Sequence, residues 1–397
     1  MRKIKSKSGI ILILSISLLL LFTVWFSANA IVRQLEVLWA LETSDLAILS
    51  MILIFGFVTG GVVFGVFNLS DIMKTEYFYS LSGLLAAITN LIAVFMPRFQ
   101  LFLLFRFFTG FFIAGVYPTA MKLMASWFKE NRGFSIGILL GALAMGSGLP
   151  YLFNIVGTEP NWRLLLGVSS ILALFGSIIV FFFLTEGPHI SKGVKFKLSN
   201  LIKAWSKKSV RLTNYAYFGH QWEIYAFWVW IPVYLTSVFN NVHPTEDPTA
   251  IISLVTFLIF VAGAIGNVIG GRIADKIGKR KFNIIMLVIS GSSSILIGLF
   301  SRNLLFSTIL AFIWGFTIVP DSAQYSALIS EFTDQQLVGT ALTMQTTIGF
   351  VITAIPIQIL PYFTDLVTWS FGFTFLAIGP IVGLISLLLL KKNQEKA

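Results

Sequence analysis

The chain has no cysteine among its 397 residues, which rules out disulfides, thiolate metal ligands and cysteine nucleophiles. Charge is scarce as well. Asp, Glu, Lys and Arg together make up 11% of the residues, where a soluble domain carries about 25%. Acids are the scarcer sign, 17 against 28 Lys and Arg, for a net charge of +11. Long polar stretches are nearly missing, and only Thr185 to Leu212 qualifies. No Walker-type Gly-Lys-Ser/Thr run, metal-ligand cluster or nucleophile elbow is present, so neither a primary pump nor a membrane enzyme is supported. No cofactor or metal is implied. What fills the chain is apolar: 56% hydrophobic residues, 39 Phe and 10 Trp, with a mean hydropathy of +0.87.

A bilayer core takes about 20 apolar residues per helix. Twelve blocks fit, at roughly 10–31, 46–67, 76–96, 99–127, 134–155, 162–184, 213–239, 250–271, 282–300, 303–328, 337–360 and 368–390. The expected fold is therefore an all-α membrane protein of 12 transmembrane helices. The first block follows a basic start and precedes Ser27-Ala28-Asn29-Ala30, which looks like a signal-peptidase site. Its apolar run continues to Ile31, so it reads as a first span and not as a cleaved leader. Pro97, Pro160, Pro248 and Pro361 are expected in connections, where a helix ends in any case.

The polar stretch Thr185 to Leu212 holds seven Lys or Arg and one acid, Glu186, close to the middle of the chain. It is too poor in apolar residues to fold alone, and Leu198 to Ser206 reads as an amphipathic helix on the membrane surface. The expected organisation is an N-terminal bundle over 1–184, a basic linker over 185–212 and a C-terminal bundle over 213–397. With the N-terminus inside, the inner segments hold 22 Lys and Arg and the outer loops hold 4, namely Arg33, Arg98, Arg163 and Arg302. That asymmetry places both termini in the cytoplasm. It also assigns the net positive charge to membrane topology, with no nucleic-acid partner.

After the eighth block the chain reads Gly271-Arg-Ile-Ala-Asp275-Lys-Ile-Gly278-Lys279-Arg280-Lys281. Its glycines suit a tight turn and close approach, and its cations suit a cytoplasmic leaflet. The same spacing resembles the G-x-x-x-D-[RK]-x-G-[RK]-[RK] signature of the major facilitator superfamily. The equivalent loop after the second block keeps Asp71 but neither glycine. The fourth block carries Arg106-Phe-Phe-Thr109-Gly110, similar to the R-x-x-x-G of that superfamily, and Trp127-Phe-Lys-Glu-Asn-Arg132-Gly133 opens the fifth. The runs Gly115 to Phe128 and Gly219 to Trp228 further resemble the nitrate/nitrite porter and cyanate permease branch. The resemblance covers essentially the whole chain. It implies two pseudo-symmetric six-helix bundles, alternating access, a central cavity lined by spans 1, 4, 7 and 10, and a conformational latch at Asp71, Arg132, Gly271, Asp275, Gly278, Lys279 and Arg280.

Ionisable residues at mid-span cost about 2.5–3.5 kcal/mol on insertion scales and usually face a cavity or a partner. Arg106 lies about 10 Å into its span, and Glu223 about 15 Å into the seventh. Arg106 is read as an attractor of an anionic substrate or a partner of a coupling carboxylate, the alternatives being a structural ion pair or outward snorkelling. His220 and Glu223 are three apart, so they share a face with Trp230 and Tyr234. Low dielectric favours the neutral form of a carboxylate, which makes Glu223 the candidate for proton coupling and a packing Glu the alternative. Asp321 follows Pro320 and is expected to cap a broken helix. Asn29, Tyr117 and Gln324 join Arg106, His220, Trp230 and Tyr234 as substrate-binding candidates.

The function expected is a secondary active transporter in the cytoplasmic membrane. It would move a small solute, in particular a small anion, coupled to protons and acting as a monomer in the lipid bilayer. The alternatives are a proton-driven multidrug exporter and a non-transporting sensor on a transporter fold. The topology has a direct test on the cysteine-free background. Single cysteines replacing Ser191, Ser199 or Ser209 should react with a membrane-impermeant maleimide only from the cytoplasmic side, and one replacing Thr245 only from outside. Labelling of Ser199→Cys in intact cells would overturn the orientation.

Overall fold

In hydrocarbon each backbone N–H and C=O must be satisfied within the protein, which leaves helices as the solution for a chain this apolar. The computed structural model describes residues 4, 6–67, 69–128, 132–155, 161–189, 198–334 and 337–390, and among them every regular element is a helix. The chain divides into two compact units, Met1–Gly193 and Val194–Ala397.

The first unit runs α1 (Lys7–Phe22), α2 (Ser27–Ala30), α3 (Val32–Trp39), α4 (Thr43–Val66), α5 (Leu69–Ile72), α6 (Thr75–Ala93), α7 (Phe99–Ile113), α8 (Tyr117–Trp127), α9 (Arg132–Leu152) and α10 (Trp162–Phe183). Within it α1 packs on α9 and α10, α4 on α7, and α6 on α7 and α10. The second unit runs α11 (Leu198–Ser206), α12 (Lys208–Val242), α13 (Thr249–Ile277), α14 (Lys279–Leu296), α15 (Leu304–Ile318), α16 (Asp321–Phe332), α17 (Val338–Val367), α18 (Trp369–Gly372) and α19 (Ile378–Leu389). There α12 packs on α17 and α19, α13 on α15, and α14 on α15 and α19. Among the described residues nine helical segments are long and apolar enough to cross a membrane, with the α7–α8, α15–α16 and α18–α19 pairs counted as one each. The remaining three of the twelve expected blocks correspond to α1 with α2, α6 and α12.

The bundles are apolar outside and small or polar within, the arrangement a lipid solvent selects. Leu12, Phe175, Ile265 and Leu388 stand exposed, while Ser17, Thr109, Ser170 and Thr256 are buried. Ser17 Oγ donates to the Gly176 carbonyl at 2.6 Å and lies 2.9 Å from the Tyr79 hydroxyl, so one serine joins α1, α6 and α10. Gly56 and Gly60, four apart on α4, meet the α7 backbone at Phe107 and Phe111, and a Cβ at either would collide with it. That spacing lets two helix backbones approach where a larger residue would hold them apart.

Three expected spans are interrupted. The first breaks between Phe22 and Ser27, with no Pro or Gly to announce it. Thr23 Oγ1 donates to the Leu20 carbonyl at 2.7 Å and to the Ser169 carbonyl at 3.1 Å, and Ser27 Oγ donates to the Val24 carbonyl at 2.9 Å. These side chains compete with the helix ladder for its carbonyls. The fourth span breaks over Ala114–Val116, just before Pro118, and the tenth over Val319–Pro320. The same position in both halves is thus broken beside a proline, the kind of interrupted helix that lines transporter sites.

One proline expectation is corrected. Pro361 sits inside α17, together with Pro356, and not in a connection. A proline removes the N–H that would reach the carbonyl four residues earlier, here Ile357. The Trp230 indole N–H donates to that carbonyl at 3.1 Å, so the helix continues past the proline. Pro160 lies outside the described residues.

The basic stretch is also more built than a linker. Thr185 to His189 are pinned to the first unit. Trp127 Nε1 donates to the Thr185 carbonyl at 2.9 Å, the Gly187 N–H donates to Ser126 Oγ at 2.9 Å, and the His189 N–H donates to the Ser126 carbonyl at 3.0 Å. At the other end Leu198–Ser206 is helical, as expected for the amphipathic segment, and α12 begins at Lys208. Residues 190–197 lie outside the described residues.

Glu186 closes the start of α6 by accepting from the Thr75 N–H at 2.8 Å and from Thr75 Oγ1 at 2.6 Å. Partial burial opposes its charge. The two Thr75 hydrogen bonds and the nearby Lys122 and Lys74 outweigh that, and hold its carboxyl below the usual carboxylate range. A carboxyl lowered on folding stabilises above its unfolded value and loses that contribution as pH falls through the folded one. Acidification below about pH 4 should therefore lower the thermal unfolding midpoint of the wild type more than that of Glu186→Gln. Equal acid sensitivity of the two proteins in lipid nanodiscs would refute this role.

Candidate functional site

The polar residues that make α12 the least apolar of the long helices converge inside the second unit. His220 and Glu223, one turn apart on α12, are both about 1% exposed. Glu223 bridges two further helices. Trp314 Nε1, on α15, donates to its Oε1 at 2.7 Å, and Ser290 Oγ, on α14, donates to its Oε2 at 3.0 Å. Both carboxylate oxygens thus have a donor, the condition for burying such a group. Phe227 packs against Trp314 with centroids 4.4 Å apart and the rings tilted by 42°, which holds the indole against α12 one turn beyond Glu223.

Asp321 is the first residue of α16, immediately after the Pro320 break. The break is where the sequence places it, but the carboxylate makes no capping hydrogen bond. It turns to α12, where His220 Nδ1 lies 3.0 Å from Asp321 Oδ1. The approach is close enough for an ion pair yet off the direction of a regular hydrogen bond. Tyr325, one turn along α16, is buried with its ring 5.8 Å from the imidazole and 6.0 Å from Tyr217. Its phenol lies near the Asp321 carboxylate. Gln221 Nε2 donates to the Tyr217 hydroxyl at 2.7 Å. Four buried side-chain atoms of these residues have no regular hydrogen-bond partner, namely His220 Nε2, Gln221 Oε1, Asp321 Oδ1 and the Tyr325 hydroxyl.

The other candidates in this unit separate from the cluster. Trp230 serves the Ile357 carbonyl. The Tyr234 hydroxyl donates to the Ile297 carbonyl at 2.8 Å and lies 3.0 Å from Ser307 Oγ. Both rings are buried in an aromatic column with Trp369 and Phe373. Gln324 is 7% exposed, three residues after Asp321 on α16.

In the first unit Arg106 is buried on α7 and makes a defined set of contacts. One guanidinium nitrogen donates to the Val24 carbonyl at 2.9 Å, to Asn90 Oδ1 at 2.5 Å and to Ser27 Oγ at 3.3 Å, and the other donates to the Trp25 carbonyl at 2.9 Å. Among the described residues no carboxylate pairs with it, and its Nε has no partner. Asn90 is held in turn by donating to Ser170 Oγ at 2.9 Å. The arginine collects the carbonyls that the α1–α2 break leaves over, and its charge faces the negative end of the α1 dipole. Asn29, on α2, donates to Ser50 Oγ at 2.7 Å on α4. Tyr117 opens α8 and is half-buried.

Of the latch residues, Gly278 takes φ +89° between α13 and α14, a conformation only glycine adopts without strain. Lys279 Nζ meets Glu331 Oε1 at 2.6 Å, and Arg280 Nε donates to the Leu387 carbonyl at 2.7 Å, at the end of α19. Asp275 is exposed near the end of α13, and Gly271 is half-buried on the same helix. The side chains of Asp71 and Arg132 lie outside the described residues.

Sequence reasoning finds His220, Glu223 and Asp321 but not the pairing of His220 with Asp321. It also passes over Trp314, Ser290, Asn90 and Tyr325. Asn90 carries a usable signal, a lone amide deep in an apolar block.

Comparison with known proteins adds the family. The profile of the Major Facilitator Superfamily matches residues 8–242 and 216–397. A probable sulfoacetate transporter of Cupriavidus necator is 21% identical over 220 residues, covering 51% of this chain and 50% of that protein. A hexuronate transporter of Bacillus subtilis is 23% identical over 247 residues, covering 56% of each. A probable 4-methylmuconolactone transporter of Cupriavidus pinatubonensis is 23% identical over 312 residues, covering 75% of this chain and 70% of that one. The chain spans about half the length of the first two. Among solved structures, a bacterial homologue of the human lysosomal transporter Spinster, inward-facing and unoccupied, shares the fold. Its TM-score is 0.69 at 14% identity, with 97% of this chain and 94% of that one covered.

The contacts of Arg106 generate a prediction. Arg106→Ala orphans the carbonyls of Val24 and Trp25, at about 1–3 kcal/mol for each buried group left unpaired. The variant should lose thermal stability in detergent, and Asn90→Ala should lose less. Wild-type stability of Arg106→Ala would refute the bracing geometry.

Proposed function

Because this chain belongs to the Major Facilitator Superfamily, we propose that it is a secondary transporter of a small organic anion, driven by protons through Glu223. The family makes it a multi-pass membrane transport protein and not an enzyme. Three relatives are named for sulfoacetate, hexuronate and 4-methylmuconolactone. All three solutes are organic acids, and that class, broader than nitrate or cyanate, is the substrate class we assign.

The observation that carries proton coupling is the environment of Glu223. It is a carboxylate in the packed interior of a helical unit, met by one indole N–H and one hydroxyl and, among the described residues, by no Lys or Arg. A group so placed is held at low cost only in its neutral form, so its proton must come and go with the transport cycle. Arg106 is a brace of the α1–α2 break in this reading, and Trp230 and Tyr234 maintain packing. His220 and Gln324 are the substrate-facing candidates on the second unit, with Asn29 and Tyr117 on the first. Alternating access of two six-helix halves, a latch at Asp71, Arg132 and Asp275, cytoplasmic termini and a monomeric state complete the proposal.

The test uses labelled sulfoacetate and a labelled hexuronate in proteoliposomes. Glu223→Gln keeps the size and hydrogen bonding of the protonated carboxyl. Uptake driven by an imposed pH gradient should collapse, because that mode requires proton release on one side. Exchange between loaded vesicles needs no such release and should survive. Uptake near the wild-type rate on the same preparation would remove Glu223 from proton coupling.

A further inference from the structure

We infer that the His220–Asp321 pair is a second proton-carrying site, separate from Glu223, so that the neutral core of the second unit holds two exchangeable protons. The inference rests on the proton-coupled reading above and extends it to stoichiometry.

The argument begins with the charges in that core. Among the described residues of the second unit, the buried ionisable side chains other than tyrosines are His220, Glu223 and Asp321. On α12 they are joined by Tyr217, and on α16 by Tyr325. Among the described residues, the other elements packed around α12, namely α11, α13, α14, α15, α17, α19 and the short helix Phe373–Ala377, add no buried Lys, Arg, Asp, Glu or His. With both carboxylates ionised and the imidazole neutral, the core carries two negative charges and no compensating cation. It reaches neutrality by gaining two protons. One belongs on Glu223, between its indole and hydroxyl donors. The other belongs to the pair of His220 and Asp321, whose Nδ1 and Oδ1 lie 3.0 Å apart. Interacting groups this close titrate as a pair, so this proton is assigned to the pair and not to either residue.

The geometry separates the two sites. Glu223 is engaged by α14 and α15, whereas the imidazole is engaged by α16, beyond the Val319–Pro320 break. His220 Nε2 is buried and without a partner. It is the one position of the imidazole that the protein leaves without a hydrogen bond. Two protons carried with a monoanion leave one net positive charge moving inward. Uptake of a monoanion would then respond to membrane potential as well as to the pH gradient, while uptake of a dianion would respond to the pH gradient alone.

The chain has only three histidines, so the site can be read without knowing the substrate. In a His189→Gln, His243→Gln background His220 is the sole imidazole, and its protonation and tautomer are read by nitrogen-15 histidine NMR of the full chain in lipid. Protonated carboxyls are read by infrared spectroscopy on the same sample. The expected result is an imidazole step within about pH 5 to 8 that persists in Glu223→Gln and disappears in Asp321→Asn. A carboxyl band lost in Glu223→Gln should persist in Asp321→Asn. If Asp321→Asn does not fold, Asp321→Glu retains the pair and should displace the imidazole step while leaving the Glu223 band in place. An imidazole that keeps one tautomer and one charge across the window overturns the inference. So does an imidazole step unaffected by both Asp321 variants. A carboxyl band unchanged by Glu223→Gln, with the imidazole step intact, would instead refute Glu223 as a proton carrier and leave the pair standing.

Discussion

A polar group that leaves water for the inside of a helical bundle must find its partner there, and most of the specific geometry of this protein comes from that requirement. The apolar outer faces need little explanation, since lipid accepts them wherever they occur. The partners are few and far apart in the chain, so each one decides a local geometry. Ser17 joins three helices, Trp230 takes the carbonyl that Pro361 leaves without its N–H, and Arg106 takes two carbonyls from a broken helix. Removing such a partner leaves the other group buried, and the loss then exceeds what a surface hydrogen bond would be worth.

The two units meet the requirement in different ways. In the first, the buried ionisable groups among the described residues are Glu76 and Arg106, the latter a guanidinium surrounded by acceptors. Its carbonyl partners belong to a helix break, so the charge holds backbone in place. In the second, the buried charges are carboxylates with few donors and a single imidazole, an arrangement whose charge depends on how many protons are present. The broken helices match between the halves, at Ala114–Val116 and at Val319–Pro320. The residues just after the two breaks differ. Tyr117 and Pro118 open one continuation, and Asp321 opens the other. An internal repeat has kept its backbone device and diverged in its chemistry.

How much of this was legible in the sequence depended on the distance over which each cause acts. Helical class, the approximate spans and the amphipathic Leu198–Ser206 come from composition and period, which are local. The Pro320 break was announced by its own proline, and Gly278 by its place in a turn motif. The break after Phe22 was not announced, because it is upheld by Arg106 and Ser169, which lie on other helices. Pro361 misled for the converse reason, as its compensation comes from Trp230 on α12. At the site, polar residues in apolar blocks marked His220, Glu223 and Asp321 individually. Their grouping into one carboxylate with two donors and one imidazole–carboxylate pair required the fold, since sequence period says which face a residue occupies and not what stands opposite.

The polarity of α12 is best understood against its cost. Each ionisable residue at mid-span raises the insertion free energy by about 2.5–3.5 kcal/mol on translocon-based scales, and this helix carries His220 and Glu223 one turn apart. A purely structural hydrogen bond to Trp314 or Ser290 is available to a glutamine at position 223 without the risk of a bare charge, so packing alone does not favour a carboxylate there. Nor does packing favour Asp321 beside an imidazole, where an amide would satisfy His220 Nδ1 as well. What a carboxylate does that an amide does not is change its charge. Two of them stand in a core where no arginine or lysine is buried among the described residues, the arrangement that the proposed proton coupling would use. In a family whose members move solutes, that property is the one that a bundle of otherwise apolar helices cannot obtain from any uncharged side chain.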